Sequence, residues 1–437
     1  MPSLTSVAAL TVALLATAMP VRAELTLLRG GKVIADAAAA PLGAATVAVR
    51  DGRIVAILPG HPTDIGAIAS AGEPISDIDL RSLTLLPGLV DAHVHLQNRY
   101  GSPWWRAAVD SDETYVAIAL WNARRTLLAG VTTVRDLGSA RRVMFAVRNA
   151  IRDGIADGPR IVASGPPISI TGGHGDVTGF RDEVLEALSA SGRFTCSGAA
   201  ACAERVRELA RAGADVIKVT VTGGVLSLQA RGFQQHFTDE ELRAIVTAAR
   251  LLGLRTAAHA HGARGVEAAA RAGFDSVEHA VFADEAALRA MRERGTWLVP
   301  TLSTTRAYRE RLGTGFYPPQ VEAKARQRLA ETGKSLVLAR RIGVRIAMGT
   351  DSGVYDHGVN GGELGLMVQY GGLTPREALI AATRSSAELL GLVDEVGTLA
   401  PGKSADVIGV DGDPLQDIAA IERVRFVMAR GRPIALR

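Results

Sequence analysis

Through the middle of the chain, short apolar runs rich in Val, Ile and Ala alternate with stretches rich in Ala, Arg and Glu. The apolar runs predict eight strands: Leu85–Leu96, Val131–Leu137, Arg160–Ile168, Asp215–Val221, Arg255–His261, Ser276–Phe282, Thr296–Leu302 and Arg345–Asp351. Near-continuous apolar strands separated by helix-sized gaps are the pattern of a parallel sheet covered on its outer face. Eight such repeats predict an α/β fold, a (β/α)8 barrel, over residues 87–395. A doubly wound sheet is the alternative, but no Gly-rich phosphate-binding turn follows the first strand. The two chain ends read differently. Residues Ala45–Ile57 form two β-rich runs around Asp51-Gly52, a hairpin signal. Ala405–Val410 and Val424–Met428 repeat the β character near the C-terminus. Neither end is large enough to fold alone, so residues 24–86 and 396–437 are expected to build one composite β-sandwich.

The chain is 437 residues long, enough for such a barrel with an appendage, and its 47% apolar content excludes wholesale disorder. A formal net charge of +4 comes from scattered basic residues, which argues against a nucleic-acid surface. Val7–Met19 is an apolar stretch too short to span a bilayer, followed by Val21-Arg22-Ala23, and predicts a signal peptide over residues 1–23. The mature chain is therefore expected to be exported, periplasmic or secreted, with cleavage near Ala23 and no stable membrane association. Cys196 and Cys202 lie six apart, and in an oxidising compartment they either pair or remain two free thiols beside a helix start.

The polar residues collect at strand ends. Asp91, His93 and His95 end the first strand, and alternation puts His93 and His95 on one face. His259 and His261 share a face at the end of the fifth strand. Glu278 and His279 lie on the sixth, and Asp351 ends the eighth. Five of the nine histidines thus fall at the C-terminal mouth of the predicted barrel, the face where this fold builds active sites. Imidazoles and a carboxylate converging there suit Zn²⁺ and similar ions. Only five of the 49 basic residues are lysines, and one, Lys218, stands in the apolar fourth strand. A buried ammonium is costly unless it is paired or neutral. A neutral amine can add CO2 to give an anionic carbamate able to bridge two cations; the alternative is a lysine paired with a strand-end carboxylate such as Asp91.

These residues resemble a known family. Pro87 to His95, with Lys218, His259, His279 and Gly349-Thr350-Asp351, is similar to the amidohydrolase superfamily of metal-dependent hydrolases. Gly397 to Asp406 resembles the return of such chains into their β-sandwich. Thr171 to Asp176, Gly213 to Lys218 and Thr222 to Ser227 resemble the imidazolonepropionase-like, prolidase-related branch, which includes binuclear zinc dipeptidases and hydrolases of ochratoxin-type N-acyl phenylalanines. Superfamily deaminases carry a Glu three residues after the fifth-strand His; Gly262 stands there.

The resemblance implies two divalent ions, most readily Zn²⁺, with His93, His95 and Asp351 on one and His259 and His279 on the other. Lys218, as N6-carboxylysine, would bridge them. A metal-bridged hydroxide would cleave the amide bond of a dipeptide or N-acyl amino acid, with Asp351 moving the proton and His174 donating to the carbonyl oxygen. His174 and His261 are the candidate substrate contacts. The alternatives are an imidazolonepropionase-like cyclic amide or lactone hydrolase and a non-catalytic barrel scaffold. A small-molecule amide or dipeptide is the expected partner, with self-association into a homo-oligomer. Tyr100, Trp104, Trp105, Phe316 and Tyr317 line an apolar pocket, serve packing or form an oligomer contact, and Arg99 and Arg231 are candidates for a substrate carboxylate. His61, His236 and His357 receive no role.

Overall fold

The computed structural model describes residues 24–176, 179–189, 194–228 and 232–436, so the signal-peptide expectation and Arg231 lie outside the described residues. Parallel strands and outer helices alternate through the middle of the chain. Leu89–Val94 pairs with Val131–Asp136, which pairs with Arg160–Ala163. A second run of parallel pairs joins Ile168–Ser169, Val216–Thr220, Arg255–Gly262, Ser276–Phe282 and Trp297–Val299 in that order. Every residue of Leu89–Val94, Val131–Asp136 and Val216–Thr220 is buried, as strands with side chains on both faces of a closed layer must be.

Three predicted strands differ in detail. The apolar run Leu85–Leu96 is broken at Gly88, where Ile75–Pro87 leaves the terminal sheet and Leu89–Val94 enters the barrel. A Cβ on Gly88 would lie 2.1 Å from Thr132 Oγ1, so only glycine allows the two layers this close. The run Arg160–Ile168 is split by Pro166 and Pro167, which cannot donate to a ladder. Arg345–Asp351 does not form a regular strand. It closes the barrel as an extended segment instead, donating and accepting on both sides: Ala347 N–H to Leu298 O at 3.0 Å and Ala92 N–H to Met348 O at 2.9 Å.

The helices follow the expected apolar faces. In Asp239–Leu251, Leu242, Ile245, Val246 and Ala249 are buried at helical spacing, and Thr238 with Glu241 forms a capping box. Between the seventh strand and the closing segment, Thr304–Arg311, Pro319–Ala330 and Lys334–Ile342 form a three-helix excursion beside the mouth. Among the described residues no helix is long and apolar enough to cross a membrane.

Both chain ends contribute to one seven-stranded sheet, with Val407–Val410 lying against Ile75–Pro87. The hairpin at Asp51-Gly52 is present, with both residues at positive φ (50° and 76°) and Arg50 opposite Arg53. Arg53 also bridges Ser404, so the sheet folds back on itself around Leu28, Val47, Ile54, Leu85 and Val407. Cys196 and Cys202 are joined as a disulfide.

Candidate metal centre

The C-terminal ends of the barrel strands open into a cavity of about 230 Å³. His93, His95, His174, Lys218, His259, His261, His279 and Asp351 all line it, so every candidate site residue meets in one place. His93 Nε2 and His95 Nε2 are 3.3 Å apart. Asp351 Oδ1 is 3.5 Å from the first and 3.1 Å from the second. Lys218 is 2% exposed, and its Nζ has no hydrogen-bond partner among the described residues. His259 Nε2, His261 Nδ1 and His95 Nδ1 are likewise buried without partners. His261 joins His259 and His279 in a group whose nitrogens lie within 4.8 Å of one another, and its ring stacks on that of His279. Buried polar atoms are almost always paired, so this many orphans facing one another fit a cation that completes them.

Backbone irregularity aims these side chains. Glu278 and His279 are neighbours, and strict alternation would send them to opposite faces. Instead His279 and Ala280 adopt φ of 73° and 47°, and the register against the fifth strand shifts there. Both side chains thereby serve the mouth. Asp351 also sits at positive φ (59°), anchored by its N–H on His93 O at 2.7 Å.

A second layer fixes the imidazoles. His93 Nδ1 donates to Glu278 Oε2 at 2.9 Å, leaving Nε2 as the free electron pair. Glu278 also accepts from Arg135 Nη2 at 3.0 Å and from Ser276 Oγ at 2.5 Å. Thr301 Oγ1 lies 2.6 Å from His279 Nδ1 and donates to Pro300 O, so it accepts from the ring and frees Nε2. His174 Nδ1 meets Ser227 Oγ at 2.6 Å, and its ring lies 4.3 Å from that of His259. Glycines make room for it: a Cβ on Gly224 would lie 2.3 Å from the His174 ring.

Burial sets the proton affinities. It lowers His93 to about 4 and His174 to about 3, and it drives His259, His261 and His279 well below the usual imidazole value. All five are neutral at pH 7, the state a metal ligand requires. Burial also lowers Lys218 to about 8, against the opposing charges of Glu278 and Asp351. Burial would raise Asp351, but His93 and its bond to His95 hold it below the ordinary carboxylate value.

Several expectations resolve here. Asp91 does not pair with Lys218; it accepts from Thr350 Oγ1 at 2.7 Å and Asn360 Nδ2 at 2.9 Å, tying the first strand to the closing segment. The aromatic cluster packs rather than lining the cavity. Tyr100 and Phe316 flank the Arg311 guanidinium at 3.8 and 3.9 Å, Tyr317 packs on Phe316, and Trp105 is exposed. The Trp104 side chain lies outside the described set. The cavity's other walls include Leu137, Pro167, Val225, Leu226, Tyr308 and Val354, with Arg328 and the polar Asn98, Thr220 and Thr304, and Arg99 is not among its lining residues. His61 bonds Gly30 O in the terminal sheet, and buried His357 supports His95 through its carbonyl oxygen at 3.2 Å. Glu278, Arg135, Tyr308 and Arg328 are the residues that strand-end motifs did not single out for a role. Glu278 had a visible signal, an acid beside a ligand candidate, whereas Arg328 was one arginine among many.

A model of the amidohydrolase family matches residues 84–434. An Aspergillus niger ochratoxinase is 34% identical over 365 residues, covering 78% of this chain and 73% of that protein. Its solved structure superposes with a TM-score of 0.82 over 94% of this chain and 96% of that one. A Xaa-Pro dipeptidase structure with methionine bound in its active site is 35% identical, with a TM-score of 0.85, covering 94% of this chain and 99% of that one. An imidazolonepropionase of Mesorhizobium japonicum is 29% identical over 374 residues, 80% of this chain and 83% of that protein.

Proposed function

The chain belongs to the amidohydrolase family, and on that premise we propose that it is an exported hydrolase releasing the C-terminal amino acid from dipeptides or N-acyl amino acids. The observation that carries this reading is the partnerless, buried Nζ of Lys218 among neutral imidazoles and Asp351. Support for the substrate class comes from the relatives, named as a Xaa-Pro dipeptidase and an ochratoxinase. The Cys196–Cys202 disulfide supports export.

His93, His95 and Asp351 would hold one divalent ion and His259 and His279 another, with Zn²⁺ matching the nitrogen-rich donor set. Lys218, whose amine is already easily deprotonated, would add CO2 as a carbamate with release of a proton and so face both ions with an oxygen. His261 either completes the second set or touches substrate. Ions bound there supply Lewis-acid polarisation and a water of lowered pKa.

The chain's own groups do the rest. Asp351, ionised at neutral pH, accepts the proton of the attacking water and returns it to the departing nitrogen, which leaves poorly without one. Were Ser227 Oγ to donate to Nδ1, His174 would carry its proton on Nε2 and donate to the carbonyl oxygen as negative charge develops. The apolar side chains of Val225, Leu226 and Val354 line the cavity and would receive an apolar side chain.

Lys218→Ala is the test, with metal content by mass spectrometry and turnover on a library of dipeptides and N-acyl amino acids against a chelated control. The expected result is loss of the two bound ions and a fall in turnover on the order of 10³-fold, about 4 kcal/mol of barrier. Retention of both metal and activity in the variant overturns the reading.

A further inference from the structure

Two arginines are among the largest completely buried side chains, Arg135 at 1% and Arg328 at 2% exposure. Arg135 is neutralised. It donates to Glu278 Oε1 at 3.0 Å, to Ser276 Oγ at 3.2 Å and to Ala92 O at 2.6 Å. Arg328, projecting from the Pro319–Ala330 helix into the cavity, meets only neutral oxygens. Its partners are Thr305 Oγ1, Thr332 Oγ1 at 3.5 Å and Thr301 O at 3.2 Å. Among the described residues, which include every Asp and Glu side chain, no carboxylate forms an ion pair with it. Glu363, on the same side of the barrel, already accepts from Leu302 N–H, Ser303 N–H and Ser303 Oγ.

A guanidinium stripped of water and left without a counter-ion costs several kcal/mol. Such a cost is offset when an anion arrives in the cavity the group lines. Three of its five N–H donors are used, which leaves two for a ligand. Beside it Tyr308, 4% exposed and lining the same cavity, has a hydroxyl with no partner among the described residues. The neutral oxygens hold the guanidinium in place without cancelling its charge, which suits a fork prepared for a planar carboxylate.

We propose that Arg328, with Tyr308 beside it, anchors the free α-carboxylate of the amino acid being released. The inference rests on the hydrolase reading above and narrows it. The substrate must carry a carboxylate on the amine side of its scissile amide, so the enzyme removes only terminal residues. An internal peptide bond, or a substrate whose terminus is capped as an amide, leaves Arg328 buried and unpaired and is turned over far more slowly. The apolar wall of Val225, Leu226 and Val354 then receives the side chain of that terminal residue.

The zinc- and bicarbonate-supplied enzyme would be assayed for acetate release from N-acetyl-L-leucine and N-acetyl-L-leucinamide, using wild type, Arg328→Met, Arg328→Lys and Tyr308→Phe. Wild type is expected to favour the acid by on the order of 10²-fold or more. Arg328→Met should raise KM on the acid until acid and amide are turned over alike. Arg328→Lys should restore part of the preference, which also guards against a variant that merely misfolds. Tyr308→Phe should cost the acid about tenfold. Equal wild-type turnover of acid and amide, or equal loss on both in Arg328→Met, overturns the anchor while sparing the hydrolase reading. If neither compound is turned over, the hydrolase reading fails for this class. Calorimetry with L-leucine and L-leucinamide then decides the anchor: carboxylate-dependent binding that Arg328→Met abolishes supports it, and binding that the variant leaves unchanged overturns it.

Discussion

Glu278 and Glu363 are both fully buried beside the barrel mouth, yet their carboxyl groups are driven in opposite directions. Burial alone would raise Glu278, but the Arg135 charge and then the His93 bond pull it down to about 2. Burial pushes Glu363 up to about 7, and the bonds from Ser303 and Leu302 offset only part of that. The difference lies in the arginines. On the floor of the site, Arg135, Glu278 and His93 form a closed chain in which each charge has its partner. On the wall, Arg328 and Glu363 do not pair with each other, and each makes its bonds to neutral groups. A closed network holds ligands still, while an open one leaves charge for something that comes and goes.

The contrast is broken most directly at the floor. Glu278→Gln leaves Arg135 buried without a counter-charge and should cost about 3–5 kcal/mol in denaturant melts. It also loosens the His93 ring, so metal affinity should drop about 10–100-fold in competition with a chelator. A loss under about 1 kcal/mol would mean that the floor is no more closed than the wall.

The wall should show its open charge as a pH dependence. The folded-state pKa of Glu363, about 7, lies above the ordinary 4.5, so between these values the folded protein holds a proton that the unfolded chain has released. Stability from this group is full below the ordinary value and falls as pH rises through the window, by on the order of 3 kcal/mol. Melts of wild type and Glu363→Gln between pH 4 and 8 should differ in slope, with the variant flatter, and parallel profiles would remove Glu363 from the comparison.

The smallest effect concerns how the wall steadies the floor. Lys324, one turn before Arg328, donates to Gly224 O at 3.0 Å and Ser227 O at 2.6 Å, in the loop that holds His174. Gly224→Ala pushes into the His174 ring and should cost about 1–3 kcal/mol of stability. Under the proposed role of His174, kcat should fall about 10²-fold with KM little changed. Unchanged kcat would show that the ring does not act on the carbonyl.

Much of this was determined locally. Alternation along a strand put His93 with His95 and His259 with His261, and a lone lysine in an apolar run was visible without coordinates. The barrel repeat and the Asp51-Gly52 hairpin follow from periods and turn chemistry that act over a few residues. What escaped depended on residues far apart in the chain. The backbone turn at His279 that brings two neighbours to one side, the Arg135–Glu278 pair 143 positions apart, and the closing of the barrel by a segment too irregular to be a strand are set by packing between elements. The arginines make the point most sharply. Arg135 and Arg328 are the same residue type in a chain full of it, and only the tertiary structure decided that one would be neutralised and the other left facing a cavity, because a charge's state depends on what folds against it.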